Sequence, residues 1–515
     1  MRMSRAVRRG LVLLATVALL YGAVFTLWTG RVKSRPPTLA ASKRDYLHYD
    51  IVELSLVSGD PSLAESFQAL PPRFAVMRGS ETVTTIAGIR EMPARRVAPG
   101  VWTARWPVPW NAPSADYRPV LLGRPDLEES LKVSSFRISR RVPTPMPAGF
   151  VVATLERGQP LSEMRIKAPD GSMTDWRGLL DWAKYIGADA FWMLGGRSPG
   201  AGPRDVWMDT NLKLIPDVAR ECRKRGLQFG VYAMFSLTMS KAKLPGYEYG
   251  LEIENGKPVA TRAISIRDAS RLADVASFLK PYADNPNVDW VGLDYIRNAL
   301  GGYELVDDFV AEMPGVIVPA EWRRLTRDER MVWLARKKIM RRDLDFVEAW
   351  EWWRARRVAL VVREIRARLG GKPLWAFTLT WEKGWHHGQD PVMMNDAGVD
   401  IDALMFYEAD KPQYAAMLKS WNEYVRRGDV QVLPGNIFDW GLHQKDKTGP
   451  AEFGRRLKAA VSQVYGDGPA RGVFYHDMGR LLWGRLGPWG TRGWADEAAR
   501  ISRFVKSQPD REKDR

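Results

Sequence analysis

Carboxylates recur along the C-terminal part of this chain, each directly after a short apolar run. Asp294 closes Val291-Gly-Leu-Asp, Glu382 follows Thr378-Leu-Thr-Trp381, and Glu408 follows Met405-Phe-Tyr407. Asp439, with Trp440 beside it, follows Asn436-Ile-Phe, and Asp477 follows Tyr475-His476. If each run is a strand of one parallel barrel, all five acids reach one rim, because catalytic groups of that architecture sit at C-terminal strand ends. Loop aspartates also arise for turn reasons, so the signal lies in their succession and not in any one of them. Hydrolysis of a glycosidic bond needs two carboxyl groups flanking that bond. The candidate carboxyl groups are Asp294, Glu382 and Glu408. Aromatic residues beside the acids offer faces on which a pyranose can stack. Arg297, Tyr295, Trp381, Tyr407, Asp439, Trp440, His476 and Asp477 are therefore candidate substrate contacts. The plainer readings are an Asp294–Arg297 ion pair, a solvated Glu382, and turn roles for Asp439 and Asp477.

Other chemistries have weaker support. His386, His387, His443 and His476 all fall on expected rim loops, but no HxH or HExxH spacing occurs, and we expect no metal and no cofactor. No G-x-S-x-G elbow follows a strand, and Leu155-Glu-Arg-Gly does not resemble a phosphate-binding loop. The single cysteine, Cys222, excludes an intramolecular disulfide. The formal net charge is +17. The arginines of the 346–369 segment are interspersed with Glu351 and Glu364 and read as solvated helix faces. No nucleic-acid-binding motif accompanies them. A basic surface also suits an anionic membrane or an anionic polysaccharide.

The elements that would position the rim are legible as alternation. Eight short apolar segments read as strands: Phe150–Leu155, Ala190–Leu194, Gln228–Phe235, Asp289–Asp294, Leu374–Thr380, Ala403–Tyr407, Val430–Ile437 and Gly472–His476. Amphipathic stretches at helical spacing separate most of them. Strands alternating with helices imply a parallel sheet, and eight units imply a closed (β/α)₈ TIM barrel over 146–507. Residues 300–345 form an insertion after the fourth strand. Residues 45–142 show β-formers broken by Gly and Pro, the pattern of an antiparallel, immunoglobulin-like sandwich. Two proline-containing linkers, 31–44 and Arg141–Ala148, bound it, and 508–515 reads as a disordered tail. Residues 1–30 carry an apolar run, Leu11–Trp28, after Arg2, Arg5, Arg8 and Arg9. That pattern predicts an uncleaved, single-pass anchor in the cytoplasmic membrane with the globular part outside; a cleaved signal peptide is the rival reading.

Three segments carry a family resemblance. Pro286-Asn-Val-Asp-Trp-Val-Gly-Leu-Asp-Tyr-Ile-Arg297 is similar to the fourth-strand region of bacterial glycosidases of the glycosyl-hydrolase-like family ten. The helix Trp350–Leu369, with Trp353-Arg-Ala-Arg-Arg-Val and then Val362-Arg-Glu-Ile, and with Lys372-Pro373 after it, resembles that family's next helix. Asp400-Ile-Asp-Ala-Leu-Met-Phe-Tyr407, followed by Tyr414 and Trp421, resembles its sixth strand. The resemblance implies a barrel related to amylase-like and galactosidase-like glycosidases, with Asp294 as nucleophile or base and Glu382 or Glu408 as general acid. It departs at Glu408, where the family carries a neutral residue. The expectation is a glycoside hydrolase acting on an extracytoplasmic polysaccharide. The alternative is a non-catalytic glycan-binding or polysaccharide-export protein on the same fold.

Overall fold

The computed structural model describes residues 36–508, apart from 86–87, 111, 157–159, 197–205, 239–242, 300, 317, 341, 381–386, 408–410, 426–429, 440–448 and 465–471. The expected membrane helix and the C-terminal tail lie outside the described residues. Among the described residues no helix is long and apolar enough to cross a membrane.

The chain divides into two compact units, Met1–Ser139 and Arg140–Arg515. In the first, alternating strands build two sheets. One contains Ile51–Val57 and Val101–Pro107, paired antiparallel, and the other contains Arg73–Arg78 and Ala115–Leu122. Period-two side-chain alternation turns Val52, Leu54 and Leu56 inward from one strand and Trp102 and Trp106 from its neighbour. They join Phe74, Val76, Tyr117 and Phe136 of the other sheet in one core. Two features correct the expected layout. Thr38–Ala41, within the segment read as linker, is a strand. The sheets are not wholly antiparallel, because Thr38–Ala41 pairs in parallel with Lys132–Val133, and Asp45–Tyr46 with Phe136–Ile138.

The second unit holds a closed barrel of eight parallel strands: Phe150–Leu155, Ala190–Leu194, Gln228–Met234, Trp290–Asp294, Leu374–Leu379, Ile401–Met405, Val432–Ile437 and Gly472–His476. The last strand pairs with the first, Val151 opposite Val473. Inward-facing Phe150, Val152, Trp192, Trp290, Trp375, Phe377 and Phe474 fill the interior. The Trp192 and Trp375 rings stack with centroids 3.9 Å apart and planes 16° from parallel. Two glycines make this possible: a Cβ at Gly292 would lie 2.1 Å from the Trp375 ring, and one at Gly230 would lie 2.4 Å from Trp192.

The stretch Arg141–Ala148, expected as a free linker, is fastened to the barrel floor. Asp400, at the N-terminal end of the sixth strand, accepts hydrogen bonds from Arg141 Nη1 (2.9 Å), Thr144 N (2.8 Å) and Leu374 N (2.9 Å). It also pairs with Arg366. Met146 N donates to Gln431 Oε1 at 2.7 Å. The insertion contains the helices Val306–Glu312 and Arg327–Ile339, the latter opened by a Thr326/Glu329 capping box. A hairpin after the third strand, Tyr249–Glu254 with Lys257–Ile264, was not foreseen in the sequence. Glu304 of the insertion ties it down, accepting from Leu251 N and Ser265 Oγ, each at 2.7 Å.

Behind the sixth strand Asp402 is fully buried, with one oxygen accepting from Thr378 Oγ1 at 3.1 Å and the other without a partner among the described residues. Burial, reinforced by the neighbouring Asp390 charge, pushes its proton affinity well above the usual carboxylate range. Unfolded, the group ionises near pH ~3.9. Its stabilising contribution is therefore complete below that pH and erodes as pH rises toward the folded value. Asp402→Asn keeps the Thr378 bond and removes the ionisation. We predict that the melting temperature of the variant exceeds wild type at pH 8 and that the gap narrows at pH 5. Gly292→Ala, in contrast, overpacks the barrel against Trp375, and calorimetry should show a loss of about 1–3 kcal/mol or more.

Candidate active site

Inward parity brings the chemistry to the C-terminal mouth. In the fourth strand Trp290 and Gly292 face the interior, so Asp294 does too, one layer higher. It is 4% exposed, and Oδ1 accepts from the amide of Tyr295 at 2.7 Å. The end of the neighbouring third strand braces it, with Phe235 N donating to the Asp294 carbonyl at 2.7 Å. Buried Arg271 in turn grips that third strand, donating to the carbonyls of Phe235 (2.6 Å) and Met234 (2.8 Å).

The first strand contributes a residue that the sequence reading passed over. Phe150, Val152 and Thr154 point inward, and Glu156 continues that alternation just past the strand end. Its Oε2 lies 3.0 Å from Nε2 of His476, which ends the eighth strand. On the far side of the imidazole, Nδ1 is 3.3 Å from Thr154 Oγ1, and Thr154 Oγ1 donates to the Tyr475 carbonyl at 3.1 Å. A hydroxyl has one proton to give. With that proton on Tyr475, Thr154 accepts from Nδ1–H while the Glu156 carboxylate accepts from Nε2–H. Both ring nitrogens then carry protons, the imidazolium form. Burial by itself would lower the His476 pKa, but the bond to Glu156 and the charges of Asp477, Glu156 and Asp294 raise it overall.

Asp294 behaves in the opposite sense to a free aspartate. Burial is the largest cause and the Glu156 charge the next, and together they raise its pKa to about 7 against the opposing effects of Arg297 and His476. The mouth thus holds one carboxyl that keeps its proton near neutrality and another that faces a cation.

Three aromatic groups enclose the acids. The Tyr407 ring stacks on His476, with centroids 5.5 Å apart and planes at 21°, and its buried hydroxyl has no partner among the described residues. Tyr232 donates to the Leu155 carbonyl at 3.2 Å. Burial and the nearby carboxylates push the titration of both phenols far up, so they remain neutral donors. Tyr295 takes a left-handed backbone, φ 51°, and the Arg297 guanidinium lies 4.4 Å from its ring centroid. Arg297 Nη1 is buried without a partner among the described residues, and a substrate hydroxyl or carboxylate could accept from it.

The remaining expected residues separate. Trp381, Glu382, Glu408 and Trp440 lie outside the described residues. Asp439 and Asp477 sit at the mouth, but their oxygens serve the protein. Asp439 pairs with Arg480 (3.2 Å) and accepts from Arg485 N (3.0 Å). Asp477 accepts from Arg480 N (2.9 Å), capping the helix Met478–Trp483, and from Glu156 N (2.8 Å). Both therefore hold neighbouring backbone and Arg480 in place with these oxygens. Among the described residues no three His, Cys, Asp or Glu side chains converge as a metal site.

No family model matches the chain, and no curated protein matches it. Solved structures do. An exo-β-1,4-mannosidase from Opitutaceae bacterium strain TAV5 is 15% identical, with a TM-score of 0.38, over 69% of this chain and 59% of its own. This chain therefore spans little more than half of that enzyme. A broad-specificity endoglucanase from Clostridium longisporum is 11% identical over 70% of this chain and 100% of its own, with a TM-score of 0.34. A Streptomyces cattleya enzyme solved in complex with Manβ1-4GlcNAc is 12% identical over 65% and 76%, with a TM-score of 0.37. Matches this distant assign no activity.

The Glu156–His476 contact has a direct readout. Glu156→Gln removes the charge and the strong acceptor that hold the imidazolium, while burial stays. The His476 ring resonances, followed by NMR through a pH titration, should show a lower pKa than in wild type. An unchanged titration would mean that Glu156 is not the partner.

Proposed function

We propose that the barrel hydrolyses glycosidic bonds of a polysaccharide, with Asp294 and Glu156 as its carboxyl pair. The observation that carries this reading is the asymmetry of the two acids at one barrel mouth. Asp294 retains a proton to about pH 7, and Glu156 lies 3.0 Å from a histidine whose proton affinity is raised. A carboxyl that keeps its proton, beside another that faces a cation, offers an acid and a base at one mouth. Asp294 then donates its proton to the glycosidic oxygen as the bond to the anomeric carbon breaks. Glu156 faces the positive charge that develops on that carbon and takes the proton of the water whose hydroxyl replaces the leaving sugar. Tyr407 and Arg297 would hold sugar hydroxyls with their unpartnered donors.

This assignment exchanges a role. The resemblance to glycosyl-hydrolase-like family ten makes Asp294 the nucleophile. Burial and the adjacent Glu156 charge favour its protonated form, the reverse of what a nucleophile needs. Glu382 and Glu408 belong to the same proposal as further rim acids. The N-terminal apolar run after Arg2, Arg5, Arg8 and Arg9 supports a membrane-anchored, extracytoplasmic placement, in which the substrate is a polysaccharide outside the cell.

The test is reducing-end release from a polysaccharide panel by wild type, Asp294→Asn and Glu156→Gln. We expect each substitution to lower kcat by at least ~10²–10⁴-fold, with the circular dichroism spectrum unchanged. In wild type, kcat/KM should fall as pH rises through about 7, where Asp294 loses its proton. Full activity in both variants would discard the pair. Binding without cleavage by wild type would make the chain a glycan-binding or polysaccharide-assembly protein on the same fold.

A further inference from the structure

A second cleft opens beside the mouth, and nothing in the carboxyl pair explains it. Its volume is about 650 Å³, within the range of ordinary ligand pockets. One wall is the hairpin Ile166–Lys167/Met173–Thr174, which belongs to the segment following the first strand. The other is the Met478–Trp483 helix and the start of the Gly490–Lys506 helix, which follow the eighth strand. The two walls thus belong to segments that follow the first and the last strands, the strands that carry Glu156 and His476 at their ends. The Asp477 carboxylate joins them, accepting from Glu156 N and capping the Met478–Trp483 helix.

The lining has a definite chemistry. Arg165, Lys167 and Arg492 place three cationic side chains around the cleft. Among the described residues neither Arg165 nor Lys167 pairs with a carboxylate, and Arg165 donates only to the adjacent Met164 carbonyl. Arg492 donates to the Pro169 carbonyl at 3.1 Å and lies 3.4 Å from the exposed Asp496. Asp170 is the one acid in the lining; its Oδ1 accepts from the amide and hydroxyl of Ser172, which favours its charged form, so the two unpaired cations outnumber it. Trp483 is 41% exposed at the rim. Buried Trp182 donates to the Lys167 carbonyl at 2.8 Å and fixes the backbone from which that lysine projects. Exposed indole beside Arg165 and Lys167, neither of which pairs with a carboxylate among the described residues, suits a ring with an apolar face and a carboxylate substituent.

We infer that this cleft binds an acidic saccharide, a uronate unit of the polysaccharide whose next units reach the mouth. The inference rests on the glycosidase reading for what enters the mouth, and it names the substrate class: a carboxylated glycan. The formal net charge of +17 acts in the same direction, raising the local concentration of a polyanion around the whole molecule.

The test measures binding without turnover. The full-length chain in detergent, carrying Glu156→Gln, is titrated calorimetrically with an oligogalacturonate, with a neutral manno-oligosaccharide of equal length, and with inorganic polyphosphate. We expect the oligogalacturonate to bind at least about tenfold more tightly than the neutral oligomer. Lys167→Glu and Trp483→Ala, both surface substitutions, should each weaken it by about tenfold, the effect of one charge-assisted bond or one stacked ring. Added salt should weaken it further. Equal binding of the neutral oligomer, or uronate binding indifferent to both substitutions, overturns the inference. So does polyphosphate binding that matches the uronate and ignores Trp483→Ala, because plain charge attraction would then suffice. Failure of wild type to cleave any polysaccharide counts against the glycosidase reading alone, since this binding is read on a variant designed not to turn over.

Discussion

The stacked pair Trp192 and Trp375 is the contact on which the site depends. Two indoles can lie face to face in the barrel only because Gly230 and Gly292 withhold the side chains that would occupy their space. Asp294 is the next inward position after Gly292, so the carboxyl stands on an aromatic floor that water does not reach from below. Desolvation is the largest influence on its proton affinity. The packing that stabilises the barrel interior and the chemistry at its mouth thus share one cause.

The barrel was legible because its strands are short, apolar and punctuated. The first, second and eighth strands begin and end where the sequence places them, and the others differ by one or two residues. The hairpin Tyr249–Glu254/Lys257–Ile264 was not legible, because most of its strand residues are exposed or half-buried and carry charge, leaving little apolar alternation. The Arg141–Ala148 segment reads as a linker from its prolines. Its fastening depends on Asp400, far away in sequence, and no local pattern reveals that.

The site was legible in part. Asp294, Tyr407 and His476 were found as inward positions at strand ends, and Arg297 as their neighbour. Glu156 is less legible, because it stands just past its strand in Leu155-Glu-Arg-Gly with no aromatic neighbour in sequence. The available signal was simple parity, since Phe150, Val152, Thr154 and Glu156 fall on one face. Asp439 and Asp477 differ in what holds their oxygens. Their strand-end placement is the same as that of Asp294, but backbone amides and Arg480 claim their oxygens. Sequence position tells which residues reach the rim. The hydrogen-bond partners determine which of them remain available to a ligand.

Glu156 and His476 stand on the first and last strands, on either side of the seam where the barrel closes. Thr154 and Tyr475 bridge that same seam. More than three hundred residues separate the two sides along the chain. A ribosome or a secretion channel delivers them in order, so the first strand waits for the eighth before its carboxylate meets a cation. Until then the glutamate has no imidazolium beside it and the barrel no closed wall.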